Sequence, residues 1–81
     1  MIKLKEKLIE LGYKKLDWSR LYYVKPIKES IEINLVVSYN CKKIEYHYID
    51  ATIADDKDYK AVMQAFKRMK KDLEELKQCQ D

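Results

Sequence analysis

The last third of the chain carries the pattern of one long amphipathic helix. Apolar residues recur there at intervals of three and four positions, which places them on one stripe of an α-helix. The stripe consists of Tyr59, Val62, Met63, Phe66, Met69, Leu73 and Leu76. Because such a helix is stabilised mainly by packing its apolar face, we expect it to cover another layer. The expected core contacts are Val62, Met63, Phe66 and Met69.

The length and composition of the chain limit what it can do. Its 81 residues, 47% hydrophobic and 38% charged, predict one soluble globular domain over residues 1–81. A chain this short buries only about 60–65% of its unfolded surface, which leaves little core to give up to a catalytic cavity. No apolar run approaches the roughly 20 residues of a membrane span, and the start lacks the apolar core of a signal peptide. We therefore expect a cytoplasmic protein without membrane contact.

The rest of the chain has the pattern of a short helix followed by strands. Leu4, Leu8 and Leu11 share one helical face, and Gly12 fits the left-handed position that ends a helix. Three segments are rich in aromatic and β-branched residues, and two of them alternate in polarity. They are residues 21–25, 31–39 and 44–49. The prediction is an α+β fold: a two-layer α-β-β-β-α domain, a three-stranded antiparallel meander with both helices on one face.

Helices on one face leave the other face of the sheet open. Strict alternation in the third strand sets His47 and Glu45 opposite Tyr46 and Tyr48, which predicts that His47 and Glu45 face solvent. Exposed Tyr and Trp are favoured interface anchors, and the chain has seven Tyr and one Trp. The predicted partner-binding residues are Tyr22, Asn34, Glu45, His47 and Trp18.

Nothing in the sequence predicts catalysis. His47 is the single histidine, and a catalytic histidine needs a nucleophile or carboxylate partner. Asp55, Asp56 and Asp58 could bind a divalent cation, but the segment lacks the glycine and distal glutamate of a calcium loop, so helix capping is the better interpretation. The one glycine ends a helix, which excludes the known phosphate-cradling loops. We expect no enzyme, no cofactor and no metal.

The two cysteines favour an intracellular protein. Cys41 and Cys79 lie 38 positions apart and lack the paired spacing of a zinc site. A secreted domain of this size usually carries more cysteines. We expect both thiols to be free.

The long helix is longer than the strands it covers. Residues 57–79 span about 34 Å as a helix, whereas strands of six to eight residues span about 20–27 Å. Leu73 and Leu76 then project past the sheet. They are the predicted contacts of a homodimer, unless leucines of the first helix cover them within one chain.

The element order is similar to that of the double-stranded RNA-binding domain. Residues 1–15 hold the whole charge surplus, with five Lys against two Glu. The family's Gly-Pro-x-His loop is missing, and its lysine cluster is present only as Asp58-Tyr59-Lys60-Ala61-Val62. Nucleic-acid binding through the basic first helix is therefore the alternative function.

In size, in Lys/Tyr/Ile-rich composition and in helix-strand-helix order, the chain resembles small phage and mobile-element proteins that inhibit host defence, the anti-CRISPR type. The resemblance implies a protein-binding inhibitor that acts by surface occlusion. Its expected partner is a host nuclease or nucleoprotein complex. The resemblance rests on no motif, so it assigns no functional residue.

Overall fold

The strands and helices follow one another in a simple order. The structure, a computed structural model, describes residues 2–80. The elements are α1 (Leu4–Glu10), β1 (Lys14–Lys15), β2 (Tyr22–Lys28), β3 (Ile31–Val37), β4 (Ile44–Ala51) and α2 (Asp56–Lys77). The strands form one antiparallel sheet in the order β1-β2-β3-β4. The α+β class is confirmed, but the sheet within the described residues has four strands, not three.

The additional strand is β1, which pairs Lys14 with Val24 and Lys15 with Tyr23. Two lysines in succession offer no alternation of apolar and polar residues, so no sequence pattern marks them as a strand. The second strand also runs further than predicted. It continues through Pro26 to Lys28, with a register shift between these two residues. A bulge of this kind is one of the places where a sheet tolerates proline.

Both helices lie on the same face of the sheet. Leu4 and Leu8 of α1 share one buried cluster with Leu35 of β3 and Met69 and Leu76 of α2. Alternate residues of β3 point into this cluster, as the polarity pattern predicts. The cluster is the hydrophobic core of a small α+β domain.

The buried side of α2 is rotated from the predicted one. The buried residues are Ala65, Met69, Asp72 and Leu76. Met63 and Phe66 are 56% and 49% exposed, so the prediction that they form core contacts is wrong. Large apolar residues alone suggested the stripe, whereas the true face includes a small alanine and an aspartate. One oxygen of that aspartate, Oδ2, accepts hydrogen bonds of 2.9 Å from both Tyr13 and Lys25, which offsets part of the cost of burying the carboxylate.

The start of α2 is fixed by a side-chain cap. Asp55 is the N-cap residue, and its carboxylate accepts a 3.0 Å hydrogen bond from the backbone N–H of Asp58. Asp58 in turn accepts bonds from the N–H of Ala54 and from Lys28. These bonds satisfy donors at the helix terminus. The acidic cluster therefore serves as the helix cap that the sequence favoured.

Candidate functional site

One face of the sheet is covered by neither helix. The pairing register places two rows of side chains on it. One row is Tyr22, Val36 and Tyr46, and the other is Val24, Asn34 and Tyr48. Tyr22 and Asn34 therefore lie on the open face, where the alternation of their strands placed them.

An irregularity in β4 decides which of its side chains reach the open face. Val37 pairs with Ile44 but Val36 pairs with Tyr46, which leaves Glu45 as an extra residue in the strand. Beyond this bulge every side chain of β4 points opposite to the simple alternation. Tyr46 and Tyr48 accordingly face outward.

The same bulge turns His47 toward the helices. His47 pairs with Leu35, which is fully buried in the core, so the prediction that His47 lies on the open face is wrong. Its side chain is nevertheless exposed, as predicted, at the edge of the helix-covered face. Without the bulge, Asp50 would point under α2 and Ile49 toward solvent. Burying an unpaired carboxylate is costly, so the bulged register is the favourable one. Glu45 itself is exposed at the bulge.

The open face carries a cluster of aromatic rings. We call Trp18, Tyr22, Tyr46 and Tyr48 the aromatic face. The rings of Trp18 and Tyr22 lie 5.3 Å apart between centroids, inclined by 40°, a favourable separation for an aromatic pair. Trp18 is 74% and Tyr46 66% exposed. Desolvation, followed by the proximity of Tyr22 and Asp50, raises the pKa of Tyr48. Its phenol therefore keeps its proton, and its capacity to donate a hydrogen bond, to a higher pH than an ordinary tyrosine does.

Asn34 lies in the middle of this face and has an unused donor. It sits between Val24 and Tyr48 in the register and is 5% exposed. Its Nδ2 atom is buried and has no hydrogen-bond partner within residues 2–80. An unsatisfied buried donor costs about 1–3 kcal/mol. A small rearrangement that brought this N–H group to an acceptor on a partner would recover that free energy.

A second apolar surface lies between α2 and β4. A groove of about 570 Å³ runs along α2 and is bounded on the sheet side by His47. We call it the α2–β4 groove. Its apolar lining is Met63, Phe66, Met69 and Leu73, and its polar rim is Lys67, Lys70, Glu74 and Lys77. The exposed Met63 and Phe66, which sequence reasoning assigned to the core, belong to this groove.

The structure separates the two leucines that were predicted as dimer contacts. Leu76 is fully buried in the core that it shares with Leu4 and Leu8 of α1. The alternative, that the first helix covers the overhang, therefore holds for Leu76. Leu73 is half-buried and lines the α2–β4 groove, so it keeps an accessible side.

Residues 2–80 contain no metal site. No group of three or more His, Cys, Asp or Glu side chains in residues 2–80 is arranged to hold a metal ion. Cys41 and Cys79 are free and half-buried. Within the same residues, no helix has the length and apolar character needed to cross a membrane.

Comparison with known proteins gives no relative. No protein-family model matches the chain, and neither the curated proteins nor the solved structures contain a match. The aromatic face and the α2–β4 groove are therefore the basis for assigning a function.

Proposed function

We propose that this chain is a non-enzymatic protein-binding module that occludes a surface of its partner with the aromatic face. The observation that carries the proposal is the grouping of Trp18, Tyr22, Tyr46 and Tyr48 on a sheet face that no helix covers. Tyrosine and tryptophan bury large areas on binding at little cost in conformational entropy, and they are enriched among interface hot spots.

The charges on the aromatic face favour a protein over a nucleic acid. Base stacking on exposed rings is effective when the rings line a positively charged groove. Here the sheet positions next to the rings carry the carboxylates of Glu32 and Asp50, which pair with each other in the register, and Lys14 opposite Val24. The carboxylates would repel a phosphate backbone. A protein surface with accessible carbonyl groups suits both the phenols and the unused donor of Asn34.

The proposed class of partner rests on the resemblance of the chain to small phage and mobile-element inhibitors. We propose a host defence nuclease or nucleoprotein complex, the target of anti-CRISPR-type inhibitors. The support for this class is the small size, the Lys/Tyr/Ile-rich composition and the element order. Occlusion needs no catalytic group, which suits a domain of this size.

A matched set of variants tests the proposal. Tagged wild-type protein would be used to capture partners from host lysate, and affinity for the captured protein would then be measured by calorimetry. Trp18→Ala and Tyr46→Ala remove two highly exposed rings and should leave the fold intact. We expect each to weaken binding by roughly 1–2 kcal/mol, as loss of an interface anchor does. Ile9→Ala, which removes another exposed apolar side chain from α1, is the control and should change nothing.

The same preparation tests the alternative function. The charge reversal Lys3→Glu with Lys5→Glu would remove the basic surplus from the start of the chain. Our proposal fails, and the chain is a nucleic-acid-binding domain, if three results occur together. The wild type binds duplex RNA or DNA with an affinity that falls steeply with salt, the lysine variant loses this binding, and Trp18→Ala and Tyr46→Ala bind as the wild type does. Salt-tolerant binding that depends on Trp18 and Tyr46 supports it.

A further inference from the structure

The free edge of β4 lies directly beside the α2–β4 groove. β4 is the outermost strand of the sheet, so the peptide groups on its outer side face no other strand in residues 2–80. Gln80 accepts a 2.7 Å hydrogen bond from the N–H of Ile44, which covers the start of this edge. Residues 46–51 contain no proline and no lysine, the residues that most often block an edge from pairing.

The groove adds an apolar surface beside this edge, where Asp50 is the one ionised side chain among residues 46–51. His47 belongs to β4 and also forms the sheet-side wall of the groove. Exposed backbone groups and exposed apolar side chains therefore form one continuous region. One binding partner that supplied both a strand and an apolar helix face would pair with the backbone groups and cover the apolar side chains at the same time.

We propose that this region is the interface of a homodimer, in which β4 pairs antiparallel with β4 of a second copy and the two α2 helices pack side by side. The two-fold axis would pass near Tyr48, perpendicular to the sheet, and would produce one continuous eight-stranded sheet. Strands are spaced by about 4.8 Å, so the two β3 strands would lie about 14 Å apart. Because α2 packs mainly on β3, the axes of the two α2 helices would also lie about 14 Å apart. A helix with its side chains is about 10 Å thick, so a gap a few ångströms wide would remain between the two α2 helices. Met63 and Phe66 are placed to fill it.

The charges along α2 suit an antiparallel copy of itself. Asp56, Tyr59, Met63, Phe66, Lys70 and Lys77 follow one another at three, four or seven positions and share the groove side of the helix. This stripe begins with an acidic residue, is apolar in the middle and ends with a basic residue. An antiparallel partner sets Asp56 of one copy beside Lys77 of the other at both ends. The stems of Lys67 and Lys70 can cover the apolar centre while their ammonium groups stay in water.

The dimer would also enlarge the aromatic face. Pairing across β4 places both open faces on the same side of the extended sheet. Tyr46 and Tyr48 of the two copies would then adjoin at the axis, and each copy would contribute residues to one shared surface.

Sedimentation of the purified chain across the micromolar range tests the interface directly. We expect a monomer–dimer equilibrium, and Phe66→Glu should raise the dimer dissociation constant about a hundredfold by placing an unpaired charge in the contact. Ile9→Glu, a change at a similarly exposed site on α1, should leave the dissociation constant unchanged. A wild type that stays monomeric, or a dimer that tolerates Phe66→Glu, overturns the proposal. Circular dichroism would verify that each variant is folded.

Two further measurements test the geometry. Asp56→Lys and Lys77→Asp should each weaken the dimer about tenfold, and the double swap should restore it because the end pairs are re-formed with opposite signs. Amide hydrogen exchange should show that β4 amides pointing away from β3 are protected in the wild type and exchange rapidly in Phe66→Glu. If the double swap does not restore the dimer, or if these amides exchange equally in both proteins, the proposed pairing is wrong.

Discussion

The hydroxyl of Tyr13 donates a 2.9 Å hydrogen bond to Oδ2 of Asp72, a residue 59 positions further along the chain. The same oxygen accepts a 2.9 Å bond from the ammonium group of Lys25, which also lies 5.3 Å from the centre of the Tyr13 ring. Asp72 is 1% exposed. This cluster joins the segment before β1, strand β2 and helix α2, and it fixes which side of α2 faces the sheet.

Loss of Asp72 should destabilise the fold more than loss of the Tyr13 hydroxyl. Asp72→Ala leaves the Lys25 ammonium group largely buried without its counter-charge, and we expect a cost of about 3–5 kcal/mol. Tyr13→Phe keeps the ion pair and should cost about 1–2 kcal/mol. Urea denaturation measures both values. Replacing the whole cluster, with Tyr13→Phe, Lys25→Met and Asp72→Leu, should recover most of the loss. If Asp72→Ala costs less than Tyr13→Phe, the ion pair does not support the fold.

Stability should fall at high pH because of Tyr13. Burial, then the bond to Asp72, raises the pKa of Tyr13 far above its ordinary value of 10.0. The stabilising contribution is fully present below about pH 10 and is lost as the pH rises toward the folded-state pKa, because the unfolded phenol ionises first. One such proton corresponds to about 1.4 kcal/mol per pH unit. Denaturation of wild type and Tyr13→Phe between pH 9 and about pH 11 should give a steeper decline in the wild type. Parallel curves would contradict the assignment.

Met69 and Phe66 should respond very differently to truncation. Met69 is 6% exposed and contacts the core, so Met69→Ala should cost about 2–5 kcal/mol. Phe66 is about half exposed, and Phe66→Ala should cost roughly 1 kcal/mol or less in the monomer. Thermal unfolding at concentrations low enough to exclude self-association compares them. A larger loss of unfolding free energy for Phe66→Ala than for Met69→Ala would show that Phe66 is a core residue.

Asn34 should trade stability against binding. Asn34→Leu keeps a similar side-chain shape and removes the unsatisfied buried donor, so we expect it to stabilise the fold by about 1 kcal/mol. If the amide meets an acceptor on the partner, the same variant should weaken partner binding. Asn34→Ala is the control for the amide, because it also removes the donor but leaves a void. A destabilised Asn34→Leu would mean that the amide contributes to the fold.

Part of the fold follows directly from the sequence. Both helices, the later three strands and their antiparallel order are predicted by periodicity, because each contains enough residues to show a period. β1 is two residues long and shows none. The open-face positions of Tyr22 and Asn34 also follow from alternation, although their binding role stays a prediction.

Two predictions about which way side chains point, for α2 and for His47, are wrong for different physical reasons. Asp72 can face the sheet because its Oδ2 accepts hydrogen bonds from Tyr13 and Lys25, although its buried Oδ1 has no hydrogen-bond partner within residues 2–80. Contacts over such sequence separations leave no local pattern. The placement of His47 depends on one extra residue, Glu45, which reverses the alternation after it. The sequence offers one clue to the correct register: the regular alternation would bury Asp50, whereas the bulged register buries Ile49 instead.

The bulge at Glu45 also determines where β4 can change in length. Deleting Glu45 would leave Val37 paired with Ile44 and Val36 with Tyr46 in an uninterrupted ladder, with every later side chain still on its present face. Deleting any single residue from 46 to 49 would instead exchange the faces of the later strand residues, unless the bulge itself moved to compensate. At Glu45, therefore, β4 can lose a residue during evolution or design and keep every later side chain on its present face.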